Sequence, residues 1–253
     1  MKLPRRLPHG QEVALVGHLD ELRSRLLVAG GAVLATTILA FTVHGRVIAL
    51  LMAQLPPHHR HLLTLGVAEP FTTSLKVSFA LGFALALPIV LWQLWGFVAP
   101  ALTPKTQRGI AGFTVFAAAL LVGGIVFGYR VALPAALHFL TNYDNAISNV
   151  QIRAADFISF SVLVLAACGA VFELPIVVLG LVRVGALTSK KLRRNRRIGY
   201  MIVAAIGVAL PGVDPITTIV ETIPLAILFE ASIWLSVFFE RRWFTSLATV
   251  EGT

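Results

Sequence analysis

Residues 157–182 read FISFSVLVLAACGAVFELPIVVLGLV, longer than the about 20 apolar residues that carry an α-helix across a bilayer. Glu173 is the only formally charged residue in that run. A carboxylate at mid-span costs about +2.5 kcal/mol or more on insertion scales. It therefore marks either a polar site reached by something that enters the membrane or a protonated, hydrogen-bonded packing residue. Pro175 follows two positions later. Proline lacks the backbone donor and clashes with the carbonyl one turn back, so a kink beside the carboxylate is expected.

Five further apolar segments accompany this one, giving six in all: roughly 26–43, 74–98, 110–133, 157–182, 198–210 and 216–239. The fifth is short for a crossing, which local bilayer thinning can accommodate. The sixth carries Glu221, Pro224 and Glu230. Pro88, Pro175 and Pro224 interrupt spans two, four and six, as is tolerated where neighbouring helices re-satisfy freed backbone groups. With 57% hydrophobic and only 13% charged residues, the chain is not a soluble globule. The expected fold is an all-α polytopic membrane protein in a single membrane domain over residues 1–253. It comprises an N-terminal part (1–25), a six-helix bundle (26–239) and a tail (240–253). The lone Cys168 excludes an intrachain disulfide.

Lys and Arg set the orientation. Sixteen of the 21 fall on the side of the N-terminus, the segment after span two, the 183–197 loop and the C-terminus; five fall on the other. Both termini are thus expected in the cytoplasm. Glu12 to Leu27 places Leu15, Leu19, Leu22 and Leu26 on one stripe, with Glu21 and Arg25 on the opposite face. That pattern predicts an amphipathic helix lying on the membrane surface and leading into span one.

The net charge of +9 does not point to nucleic acid, because the basic residues sit in short loops beside apolar spans. The run from Lys190 to Arg197 has no interleaved aromatics and reads as a topology determinant that also touches anionic lipid. His58, His59 and His61 flank Arg60 without a further ligand set, so a solvated loop is expected there rather than a metal site. No GxxxxGK[ST], HExxH or GxSxG occurs, and no cofactor or enzymatic activity is expected. What remains is a set of acids: Glu21 near the inner surface, Glu173 and Glu230 within the membrane, and Asp214 at an outer turn. A carboxylate near the membrane surface suits a guanidinium, which it accepts through two parallel charge-assisted hydrogen bonds. Glu21 equally suits a helix-surface pair with Arg25 at i, i+4, worth about 0.3–0.5 kcal/mol. Spacing alone does not separate the two.

His18 to Leu26 (HLDELRSRL) resembles the N-terminal HLxELRxRL signature of the TatC family, the multi-spanning subunit of the twin-arginine protein translocase. Glu69-Pro70-Phe71, Pro88 to Leu102 (PIVLWQLWGFVAPAL), Phe172-Glu173-Leu174-Pro175 and Phe229-Glu230 agree with that family in order and spacing. The resemblance implies a six-helix receptor with a concave groove. It would bind the Arg-Arg of export signal peptides on folded cargo and recruit single-span partners of the TatA/TatB type. Transport would be driven by the proton-motive force from the prokaryotic plasma membrane, with a homo-oligomer in the assembled complex. By match to the motif, Glu21 would receive the arginine pair, with Arg23 orienting it and Asp20 beside it. Phe97 and Leu102 would line the approach. Glu173 and Glu230 would form the intramembrane polar groove, and Asp214 with Pro211 the outer turn where partners dock.

Four departures stand out. Thr106 occupies the place of the family's second arginine-accepting Glu, and a hydroxyl accepts a hydrogen bond but forms no salt bridge. The family's Thr-Pro-Pro-Asp reads Leu210 to Asp214 (LPGVD) here, and Leu50-Leu51 replaces the usual Pro-Leu of the first outer loop. Glu221 is an additional acid. Two other functions compete with the receptor: a proton-coupled small-solute carrier using Glu173 as relay, and a scaffold that has lost cargo specificity with the loop Glu.

Overall fold

The computed structural model describes residues 15–57, 60–98, 110–142, 151–183, 185–209 and 215–248. The elements among them are helical, apart from one isolated parallel bridge between Leu63 and Arg153. In chain order they are α1 (Leu15–Met52), α2 (Glu69–Val98), α3 (Ile110–Phe127), a π segment (Gly128–Ala132), α4 (Leu133–Asn142), α5 (Ala154–Phe172), α6 (Leu174–Arg183), α7 (Ser189–Arg194), α8 (Arg196–Ala209) and α9 (Pro215–Ala248). Five stretches are long and apolar enough to cross a membrane: Asp20–Met52, Glu69–Phe97, Ala111–Asn142, Ala154–Arg183 and Thr218–Glu240. With 14 residues, α8 reaches only about 21 Å at 1.5 Å per residue, against a hydrocarbon core of about 30 Å.

Four expectations need correction. No separate surface helix precedes span one among the described residues, since residues 15–52 form one continuous helix of 38 residues. The stretch 15–27 holds no proline to interrupt the backbone ladder, and Glu21 and Arg25 on its polar face meet α2 through the Arg25–Gln93 contact. Span one likewise does not stop at 43 but runs on in α1 to Met52. Leu51 near its end and Leu55 just beyond it are buried with Leu133, Leu137, Phe157 and Ile158. The third span does not stop at 133 but runs on through the π segment into α4, reaching Asn142. Finally, Pro88 and Pro224 lie inside unbroken α2 and α9.

Only Pro175 coincides with a break. It offers no N–H to the Val171 carbonyl, α5 stops at Phe172 and α6 restarts at Leu174. Glu173 sits in the gap with φ −76° and ψ −6°, and its carbonyl accepts from the amides of Ile176 (2.9 Å) and Val177 (3.1 Å).

Burial is inverted relative to a soluble protein along α1. Leu26 and Leu27 are 69% and 67% exposed, and Leu34, Ile38 and Leu39 are exposed as well, whereas Glu21 and Arg25 are partly buried. In lipid, apolar side chains gain nothing by leaving the surface, so polar groups and close backbone packing hold helices together. The α1–α2 contact follows that rule. Thr36 Oγ1 donates to the Gly82 carbonyl at 2.7 Å, and Gly82 has no room for a side chain because a Cβ there would collide with the Thr37 backbone. Two apolar clusters complete the core. One lies among α1, α2, α4, the π segment and α5, and the other joins Val171 and Val203 to Leu225, Phe229 and Ile233 of α9.

Gly82→Val is expected to push α1 off α2 at a cost of about 1–3 kcal/mol. Thermal unfolding of the purified protein in detergent should show a lower midpoint; an unchanged midpoint would contradict this close approach.

Candidate functional site

α1 begins where α2 finishes, and the two helices are tied there by one side chain. Arg25 donates to Glu21 Oε1 from Nη2 at 2.6 Å and from Nε at 3.2 Å. Its Nη1 reaches across to the Gln93 carbonyl of α2 at 3.4 Å. The guanidinium rests in a notch left by Gly96, where any Cβ would strike Nη1. The i, i+4 spacing explains the pair itself; the crossing to α2 does not follow from it. Glu21 remains 28% exposed at its side chain, and its Oε2 has no hydrogen bond or ion pair among the described residues. Among the described residues, then, the carboxylate pairs with Arg25 through Oε1 alone.

Phe97 lies four residues beyond Gln93, on the same side of α2, and is half-buried. Asp20 and Arg23 are exposed and make no ion pair among the described residues. Leu102, Thr106, Pro211 and Asp214 lie outside the described residues. At the same end of α2, Trp95 packs edge-on to Phe113 of α3, with ring centroids 4.7 Å apart. The Arg183 guanidinium at the end of α6 stands 5.9 Å from the Phe113 ring. These contacts bring the end of the α5–α6 unit to the end of α2 that holds Arg25.

The two acids expected to form the intramembrane polar groove have different surroundings. Both carboxylate oxygens of Glu173 are buried without a hydrogen-bond partner among the described residues. Glu230 is fully engaged: it accepts from Tyr200 Oη (2.8 Å) and Trp234 Nε1 (3.1 Å) and pairs with Arg196 Nη2 at 3.0 Å. No hydrogen bond joins it to Glu173. Glu230 thus pins α8 to α9, while Glu173 is the acid left open.

A second acid centre, noted in the sequence only as part of Glu69-Pro70-Phe71 and given no role there, closes the opposite end. Glu69, at the first turn of α2, accepts from the amides of Leu65, Gly66 and Ala155 and from Arg153, whose Nη2 lies 3.1 Å from Oε2. Glu69 raises the pKa of Arg153, through the hydrogen bond first and Coulomb attraction second. The Leu63 amide donates to Ile152 O and the Ala154 amide to Leu63 O, both at 2.9 Å, so the segment between α1 and α2 is stitched to the start of α5. The available signal was an acid-proline pair opening a span, with an arginine opening another.

The family model for "Sec-independent protein translocase protein (TatC)" matches residues 17–224. The chain belongs to the TatC family. The TatC of Carboxydothermus hydrogenoformans is 32% identical over 234 residues, covering 92% of this chain and 96% of that one. The TatCd of Bacillus subtilis is 33% identical over 233 residues, with 92% and 95% covered. A crystal structure of a twin-arginine translocase receptor, TatC in DDM, superposes with a TM-score of 0.76 at 32% identity, covering 87% of this chain and 99% of that chain. As a TatC-family member, the chain is a multi-pass bacterial membrane protein and a component of the Sec-independent protein translocase.

Glu69→Ala leaves Arg153 and three amides without their acceptor. It should lower the unfolding midpoint and speed protease cleavage between residues 57 and 68; unchanged cleavage would show that the clasp does not hold this segment.

Proposed function

We propose that this TatC-family chain is the receptor that binds the Arg-Arg of export signal peptides on folded cargo. The observation that carries the reading is Glu21: a carboxylate at the α1–α2 junction, held by one oxygen and open at the other. A second guanidinium can approach Oε2, and charge assistance makes such a bond about twice as strong as a neutral one. Asp20 adds negative potential, Arg23 orients the incoming chain, and Phe97 with Leu102 lines the approach. Thr106 contributes a hydroxyl acceptor where the family carries an acid.

In this reading six helices cross or enter the bilayer, with α8 the short one, and both termini are cytoplasmic. The fold is one membrane domain over 1–253, with a concave groove in which Glu173 is the polar point. Glu230 lies beside the groove as a strut. The outer turn with Pro211 and Asp214 receives single-span partners of the TatA/TatB type, several copies assemble, and the proton-motive force drives transport. Membership of a translocase family supports this over a small-solute carrier.

The detergent-solubilised protein is expected to bind a synthetic signal peptide bearing Arg-Arg, and Glu21→Ala is expected to abolish that binding. Equal binding of a Lys-Lys peptide by the unaltered protein would remove the case. In a translocase-deficient strain, Thr106→Glu should raise export above that of the unaltered chain. An unaltered chain that leaves all cargo in the cytoplasm, with or without Thr106→Glu, would favour the scaffold.

A further inference from the structure

We propose that the bend between α7 and α8 is a binding site for an anionic phospholipid, with the phosphate on Arg194 and Arg197 and an acyl chain along Ile198, Met201 and Ile202. The inference rests on the reading above that α8 enters the bilayer. The chain turns at Asn195 without losing its ladder: the Asn195 amide donates to Lys191 O at 3.0 Å and the Gly199 amide to Asn195 O at 3.2 Å. Arg194, Arg197 and Met201, three and four residues apart, therefore follow one another along a single face.

Charge calls for an anion. Lys190, Lys191, Arg193, Arg194 and Arg197 are all exposed, and none forms an ion pair among the described residues. The acids of α9 at this end are already engaged. Glu230 holds Arg196, Tyr200 and Trp234, and Glu240 accepts the Ser189 amide at 2.9 Å. Like charges this close in sequence repel, so the patch is balanced from outside the chain. Guanidiniums one turn apart suit a phosphate, whose oxygens accept parallel, charge-assisted hydrogen bonds.

The apolar surface decides which anion. Directly beyond Arg197, Ile198, Met201 and Ile202 face outward, and Met201 is 71% exposed. A soluble phosphate or an acidic peptide would meet the guanidiniums and leave that surface bare, whereas a phospholipid carries both halves. The level fits as well. Tyr200 and Trp234 are exposed with their polar atoms on Glu230, and such rings settle among headgroups. A helix of 14 residues, about 21 Å long, also needs the headgroups drawn inward, and the two arginines stand where they would be held.

The test reconstitutes the full chain in mixed phosphatidylglycerol and phosphatidylcholine, extracts it into detergent and reads the retained lipids by native mass spectrometry. The unaltered protein should keep phosphatidylglycerol in preference. Arg194→Gln with Arg197→Gln should lower that retention about tenfold or more, as expected from two basic contacts near the surface. Met201→Gln, which keeps every charge, should lower it severalfold. Arg46→Gln with Arg130→Gln removes the same charge from exposed positions elsewhere and should leave it unchanged. Equal loss in both double variants, loss in neither, or glycerol phosphate displacing the lipid as readily as short-chain phosphatidylglycerol overturns the site. If the Arg194→Gln, Arg197→Gln protein inserts poorly, the Met201→Gln result decides alone. Cys168 is buried, so a fluorophore can be placed at Ile202→Cys. Its failure to be quenched by brominated acyl chains would overturn the bilayer reading of α8 itself and is told apart by that control.

Discussion

Hydrocarbon offers no partner to a charged or hydrogen-bonding group, and four acids of this chain show the consequences. Glu21 and Glu69 sit at opposite ends of helix pairs, each with an arginine. Glu230 is enclosed by Arg196, Tyr200 and Trp234. Glu173 alone of these has its carboxylate buried without a hydrogen bond among the described residues. Removing a buried charged group from water without a partner is costly, so a fold retains such a residue only if the rest of the structure over-determines it. Here the over-determination is visible: Pro175 breaks the helix, the Glu173 carbonyl bonds onward into α6, and Val171 is fixed against α9.

The same constraint turns α1 inside out. Leu26, Leu27, Leu34 and Leu39 face outward while its ion pair faces α2, the reverse of what a helix does in water. Backbone contact through Thr36 and Gly82 replaces hydrophobic burial as the cement. At one end the Arg25 bridge ties α1 to α2; at the other the Glu69–Arg153 clasp ties α2 to α5. The bundle is thereby fixed at both ends, and the Glu21 carboxylate gains a defined position despite its exposure.

Much of this was legible in the residues, for reasons of physics. Long apolar runs announce helices because the backbone has no other solution in lipid. The break at Glu173 followed from Pro175. What the pattern missed were continuities: His44-Gly45-Arg46 and Pro134 look like ends in the sequence, yet the helices run past both, where Leu51, Leu133 and Leu137 pack against Phe157 and Ile158. Prolines 88 and 224 look like Pro175 in sequence, yet α2 and α9 run through them. The acid set was found, but its division of labour was not. That Glu230 is saturated depends on Arg196 and Tyr200, which come from another helix, and the Arg25–Gln93 crossing spans 68 residues.

The central claim is that the α1–α2 junction at Glu21 is where a paired guanidinium lands. A photo-crosslinking amino acid at Leu22, exposed beside Glu21, tests it directly in membrane vesicles with a labelled signal peptide. The account predicts an adduct with the Arg-Arg peptide that is lost with Lys-Lys, and none from the same probe at Thr42 near the far end of α1. Equal adducts with both peptides, or a stronger one at Thr42, would contradict it.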